Sequence, residues 1–187
     1  MFQRILVAVD GTITSAGALD VATSLANDAK GTLHVLHVVD ERIIPRRYAE
    51  GALLHPHYIN GALDQLRAKG RRILALAQKS GSAKGAKVDP ILISESNPDV
   101  ASVILREAGE LKADLIVLGT HGRRGLTRLL MGSDAEAVLR QARVPVLLVR
   151  APTDARASRK GVTSKRSKEQ PSKEEEAVRP SGVSTAS

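Results

Sequence analysis

The residues best suited to chemistry lie in one stretch: Gly119-Thr120-His121-Gly122-Arg123-Arg124-Gly125-Leu126-Thr127-Arg128-Leu129-Leu130-Met131-Gly132-Ser133. Three of its features converge on an anion. Glycines at 119, 122 and 132 let backbone N–H groups approach phosphate oxygens with no Cβ in the way. A helix opening at Ser133 offers unpaired N–H groups and the positive end of its dipole. Arg123, Arg124 and Arg128 bring positive charge, and phosphate contact is expected from at least one of them. The stretch is not a P-loop, because G-x-x-x-x-G-K-[ST] is absent and no lysine lies between Lys112 and Lys160. Nor does it carry the G-x-G-x-x-G dinucleotide fingerprint. His121 has no acid or nucleophile partner in sequence, so a backbone contact or an exposed ring is expected of it rather than general-base work.

Two of these residues also have purely structural explanations. Ser133-Asp134-Ala135-Glu136 reads as a capping box, which would stand at a helix start with no ligand present. The three glycines in register favour a phosphate site that caps as well. Asp10 with Gly11 reads as a simple turn. Its place beside the loop of a neighbouring strand keeps a ligand role equally open.

The elements that would position this loop alternate short aliphatic runs with longer helical patterns, the signature of βαβ units. Ile5–Val9 is the first strand. Ala16–Ala29 is a helix with Leu19, Ala22, Leu25 and Ala26 at helical spacing, stopped by Gly31 at C′. Thr32–Val39 is the second strand, and strand alternation sends His34 and His37 to opposite faces, which argues against a metal site built from that pair. Residues 40–57 read as an irregular loop, where the pair His55 and His57 is a weak metal candidate. A helix follows over about 59–78, weakened by Gly70. Val88–Ile93 is the third strand, with Pro90 consigning it to an edge. Asn97 as N-cap and Pro98 at N1 open the next helix. Asp114–Gly119, a helix over 133–142, and Val144–Val149 complete the pattern. Pro145 suits an edge or first-residue position in the last strand.

With these residues in view, the chain resembles the nucleotide-binding branch of the universal stress protein family. The spacing Gly119-x2-Gly122-x9-Gly132-Ser133 matches that branch's ATP-binding signature. Ile5-Leu6-Val7-Ala8-Val9-Asp10-Gly11 is similar to the family's first strand. Ala113–Gly122 and Val144–Val149 are similar to its fourth and fifth strands. The likeness spans about residues 2–150. It implies one Rossmann-like α/β domain over residues 1–152, with an open parallel five-stranded sheet in the order 3-2-1-4-5 and helices on both faces. It implies ATP as ligand, accompanied by Mg²⁺ or Mn²⁺. Gly119, Thr120, His121 and Gly122, with Leu118 before them and Arg123 after, would line the phosphate and ribose side. Gly132, Ser133, Asp134 and Ala135 would hold the phosphates from the helix start. Asp10, backed by Ala8 and Val9, would sit at the adenine–ribose end, and Val38 would meet adenine through its backbone. The family also implies a homodimer paired through Val146–Val149. Asp134 is a departure, since an acid beside a triphosphate repels it unless it helps hold a metal.

Composition sets the outer bounds. The 187 residues are 42% hydrophobic but only 2% aromatic, so the core must be built from Ala, Val, Ile and Leu, which favours a buried parallel sheet. There are no cysteines, which excludes disulfides and thiolate chemistry and suits a reducing, cytoplasmic setting. The apolar start is too short for a signal peptide core or a membrane span, so no membrane insertion is expected. Of the net charge of +8, a portion belongs to the tail from Thr153, which has eight Lys and Arg against five Asp and Glu. That tail has almost no large aliphatics and is expected to be disordered. Its Lys165-Arg166-Ser167-Lys168 run could attract nucleic acid, yet Glu174-Glu175-Glu176 follows and aromatics for stacking are lacking, so a solvated tail is expected.

The expected function is therefore a cytoplasmic, ATP-binding regulatory homodimer with slow or no ATP hydrolysis and an unidentified protein partner. Paired carboxylates plus a lysine for efficient phosphoryl transfer are missing. The alternative is an ATP-consuming enzyme, by adenylyl transfer or hydrolysis, on the same fold; the H-I-G-H and S-G-G-x-D-S signatures of such enzymes do not occur here.

Overall fold

Ile5, Leu6 and Val7 are wholly shielded from solvent although strand side chains alternate, so this segment must be covered on both faces. In the computed structural model, which describes residues 2–42, 56–120 and 132–150, it is the central strand of a parallel sheet. The elements run β1 (Arg4–Ala8), α1 (Ile13–Ala29), β2 (Thr32–Asp40), α2 (Pro56–Ala83), β3 (Lys87–Glu95), α3 (Val100–Glu110), β4 (Leu115–Gly119), α4 (Ser133–Gln141) and β5 (Val146–Val149). The sheet order is β3-β2-β1-β4-β5, with every pairing parallel. The order expected from the family resemblance is therefore the one found.

Two cores flank the sheet. Ile5, Val7, Leu33, Val35, Leu115 and Val117 meet Ala18, Leu19 and Ala22 of α1 and Leu74 and Ala77 of α2. Leu6, Leu36, Ile116 and Leu118 turn the other way, onto Ala101, Ile104 and Ala108 of α3 and Ala135 and Val138 of α4. The small alanines let the helices lie close to a sheet of β-branched and leucine side chains. Pro90 does sit on an edge strand, and β5 forms the opposite edge.

Several local expectations are corrected. Helix α1 starts at Ile13, three residues before Ala16, because Thr12 caps it: its side chain accepts from the Ser15 N–H. At the other end Lys30, not Gly31, takes the left-handed turn (φ 52°). Helix α2 runs from Pro56 through Gly70 to Ala83, so His57 lies in a helix rather than a loop, while His55 is outside the described residues. Helix α3 begins at Val100, and its cap position is Asp99, not Asn97, with no side chain bonding back to the first turn. Pro98 is buried ahead of the helix instead of serving as its first residue. At α4 the cap position is Gly132, with Ser133 already helical and no side chain bonding back. The anticipated Ser133–Glu136 capping box does not form; the Glu136 N–H donates to the Gly132 carbonyl (2.9 Å).

Candidate nucleotide site

The strand order reverses direction at β1, so the carboxyl ends of β1 and β4 diverge into opposite crossovers and leave a crevice between them. The wall from β1 is the turn Asp10-Gly11-Thr12. Asp10 Oδ1 accepts from both the Thr12 N–H (3.0 Å) and the Thr12 hydroxyl (2.7 Å). Gly11 has φ +82°, and a Cβ there would stand 3.1 Å from Ile73 Cδ1, so the turn demands glycine. The Asp10 N–H in turn donates to Ser15 Oγ (3.3 Å). A single hydrogen-bonded loop thus joins the end of β1 to the first turn of α1.

The wall from β4 is Gly119 and Thr120. A Cβ on Gly119 would lie 2.9 Å from Thr14 Cγ2 and 3.2 Å from the Thr14 backbone. The end of β4 is therefore pressed directly onto the start of α1, beside the Asp10 turn. Thr120 is buried; its N–H donates to the Val149 carbonyl (2.9 Å) and its carbonyl accepts from the Gly132 N–H (2.9 Å). That last bond closes the neck of the loop. It brings the first turn of α4, which no side chain caps, back to the point where β4 ends.

Val38 stands on the far side. The Val9 N–H donates to the Leu36 carbonyl, and strand alternation turns the Val38 amide and carbonyl to that same edge, past the last residue of β1. The side chains of Val9, Leu118 and Ala135 are buried in the two cores, so only their backbones can face a ligand. Ala8 is half-buried against the α3–α4 core. Ser133 is exposed and Asp134 partly so at the open end of α4. Of the residues expected in the site, the structure thus gathers Asp10, Val38, Gly119, Thr120 and Gly132–Ala135 around the carboxyl ends of the central strands. His121, Gly122, Arg123, Arg124 and Arg128 lie outside the described residues.

Beside α4 opens a cleft of about 410 Å³, lined by Arg42, Asn97, Pro98, Asp99, Ser133 and Asp134 among others. Arg42 binds Asp40 through Nε and a terminal nitrogen (both 2.9 Å) and also donates to the Pro98 carbonyl (3.0 Å) and Asn97 Oδ1 (3.2 Å). The hydrogen bond to Asp40, reinforced by the charges of Asp134 and Asp99, raises the Arg42 pKa further above its ordinary range. Next to it, Ser94 and Arg67 bond the Glu41 carboxylate (both 2.7 Å) and hold its pKa below the usual glutamate range. Among the described residues no group of three or more His, Asp or Glu is arranged to hold a metal.

The sequence reading missed Thr12, Thr14, Ser15 and Arg42. The pair Asp10-x-Thr12 carried the signal for the first, as an Asx turn running into an N-cap. The others depend on how the chain returns in space.

Comparison with known proteins gives a consistent picture. The profile of the Universal stress protein family matches residues 1–150. Universal stress protein YxiE of Bacillus subtilis is 34% identical over 151 residues, covering 80% of this chain and 100% of that protein. A universal stress protein family structure from Burkholderia pseudomallei is 37% identical, with a TM-score of 0.60 over 78% of this chain and 94% of that one. The structure of MJ0577, a Methanocaldococcus jannaschii universal stress protein, superimposes with a TM-score of 0.67 at 25% identity, over 82% of this chain and 99% of that one. Two further fold neighbours were solved as complexes, one with cAMP (23% identical) and one from Archaeoglobus fulgidus with dAMP (20% identical).

Proposed function

The chain belongs to the universal stress protein family, and from that premise we propose that it is an ATP-binding regulatory protein that acts as a homodimer. One observation carries the reading. The Thr120–Gly132 hydrogen bond returns an uncapped helix start to the crevice that the Asp10 turn and Gly119 enclose. Phosphates would lie against the first-turn N–H groups of α4, next to Ser133, with the ribose toward Asp10 and the adenine toward the Val38 backbone. His121, Gly122 and Arg123, next in sequence after Thr120, would add contacts on the phosphate and ribose side. The adenine nucleotides in the cAMP and dAMP complexes of the fold neighbours support an adenine ligand class. Asp134 at the helix start would repel phosphate unless a divalent ion accompanies it, so affinity should depend on Mg²⁺ or Mn²⁺. Slow turnover at most is part of this reading, because the sequence lacks the paired carboxylates and lysine of an efficient phosphoryl-transfer site.

The dimer reading rests on β5. This edge strand is half-buried, and the helices α1 and α4 carry the exposed large hydrophobics Ile13 and Leu139. Gly17, one turn after Ile13, packs near β5: a Cβ added there would stand 3.9 Å from Val149 Cγ1. A second copy paired through Val146–Val149 would cover this edge. No helix among the described residues is long and apolar enough to cross a membrane. A cytoplasmic location goes with this reading and is checked by cell fractionation.

The test is calorimetric titration of nucleotide-stripped protein with ATP and Mg²⁺, beside the Gly132→Val variant. Saturable binding by the wild type that the substitution removes supports the site. No binding by folded wild type would overturn it.

A further inference from the structure

His37 is almost fully buried near the carboxyl end of β2, and its Nδ1 lies 2.6 Å from the Val9 carbonyl oxygen. A carbonyl only accepts, so Nδ1 carries the proton and donates. The opposite side of the same peptide is held as well: its N–H, that of Asp10, donates to Ser15 Oγ, and Ser15 is also buried. Two buried side chains from different elements thus grip the two faces of one peptide unit, the one that joins the end of β1 to Asp10. Room for the imidazole comes from Gly70 in α2, where a Cβ would stand 2.8 Å from His37 Cδ2. The glycine in this 28-residue helix leaves space that the His37 ring shares with Leu92, whose Cδ1 would also stand 2.8 Å from a Cβ there, and with Val39.

We propose that His37 and Ser15 are positioning residues that clamp the Val9–Asp10 peptide and so set Asp10 in the crevice for the ligand. The ligand part of this inference rests on the nucleotide reading above; the clamp itself does not. Rotation of that peptide would carry the Asp10 carboxylate away from Thr12, open the turn, and uncouple the crevice wall from the first turn of α1. A polar ring is needed at position 37 rather than an apolar one, because a leucine would fill the space and leave the Val9 carbonyl without its donor.

The experiment uses the full chain and two readouts. Amide hydrogen exchange is followed by NMR without ligand, and ATP·Mg²⁺ affinity is measured by calorimetry. The variants are His37→Leu, His37→Asn and Ser15→Ala. His37→Leu should speed exchange at the Asp10 and Thr12 amides about tenfold, the change expected from losing one hydrogen bond. The Ile5–Val7 amides should keep their protection, which shows that the sheet has stayed folded. Ser15→Ala should act on Asp10 in the same way. His37→Asn, which keeps an N–H donor near the Nδ1 position, should restore protection, a rescue that a space-filling role would not give. ATP affinity should fall about tenfold in His37→Leu and recover within about threefold in His37→Asn. Unchanged exchange at Asp10 and Thr12 in both His37→Leu and Ser15→Ala would overturn the clamp. Faster exchange with undiminished ATP affinity would overturn its role in binding. If wild-type protein binds no ATP, the nucleotide reading fails, while the exchange data still decide the clamp.

Discussion

Replacing Gly119 by alanine tests whether the crevice depends on the end of β4 lying against α1. The backbone at this position is not in the left-handed region, so alanine can adopt it without torsional strain. In the unfolded chain alanine loses less entropy on folding, which alone would stabilise by about 0.4–1 kcal/mol. Against this, the new methyl would stand 2.9 Å from Thr14 Cγ2 and 3.2 Å from the Thr14 backbone carbon and oxygen. The side-chain methyl can move a little, but the backbone cannot, because Thr14 belongs to the first turn of α1, fixed by the Thr12 cap. Overpacking of this kind costs about 1–3 kcal/mol, leaving a net loss of roughly 1–2 kcal/mol after the entropy gain. For a domain of this size that is a fall in Tm of about 2–8 °C, read by circular dichroism. Pairing it with Thr14→Ser, which removes only the nearer contact, should give a positive coupling of about 0.5–1 kcal/mol in a double-mutant cycle. A Tm equal to or above wild type would refute the close-packing argument. If such a stable variant also lost ATP binding, Gly119 would instead be required by the approach of a ligand.

Ser133→Ala should leave stability within about 0.5 kcal/mol, because Gly132 rather than Ser133 occupies the cap position. Its ATP affinity should nevertheless fall; a marked drop in Tm would mean that the serine caps the helix after all. Thr12→Ala should cost about 1 kcal/mol, since the side chain caps α1 through the Ser15 N–H, and a chemical-denaturation midpoint unchanged from wild type would refute that. Glu41 contributes a pH dependence of defined sign. Its folded pKa is lowered, chiefly by the hydrogen bonds from Ser94 and Arg67, so its stabilisation is fully present above the ordinary glutamate value of about 4.3 and is lost as pH falls through the folded value. Glu41→Gln should therefore be less stable than wild type at pH 7, with the gap narrowing at acid pH; a gap constant from pH 7 to pH 3 would rule the linkage out. Chain ending at residue 152 should keep the fold and the ATP affinity, as judged by Tm and calorimetry, because the family profile ends at residue 150.

Periodicity and punctuation in the sequence were enough to specify the elements around the candidate site. Aliphatic runs of strand length separated by helical patterns require parallel strands with crossover helices, and the proline at 90 could only belong to an edge strand. The glycine spacing from 119 to 132 pointed to a loop suited to an anion, and the two ends of that loop, Gly119–Thr120 and Gly132, lie together in the structure. Element ends were less legible, because they are set by single hydrogen bonds that compete closely. Ser133 offered a capping box, Asn97 a cap, and Gly31 a left-handed turn, yet Gly132, Asp99 and Lys30 take those positions. Contacts between residues distant in sequence were beyond local pattern altogether. Nothing near Gly119 announces that it meets Thr14, and nothing near Gly70 announces His37. Glycine in sequence signals freedom or lack of space without saying which, and only the returning chain supplies the neighbour that decides. The sequence by itself thus determined the class of fold and the order of its strands and helices. The tertiary structure decided which peptide His37 holds and where the two strand ends meet, because those depend on elements that approach one another only after the sheet has formed.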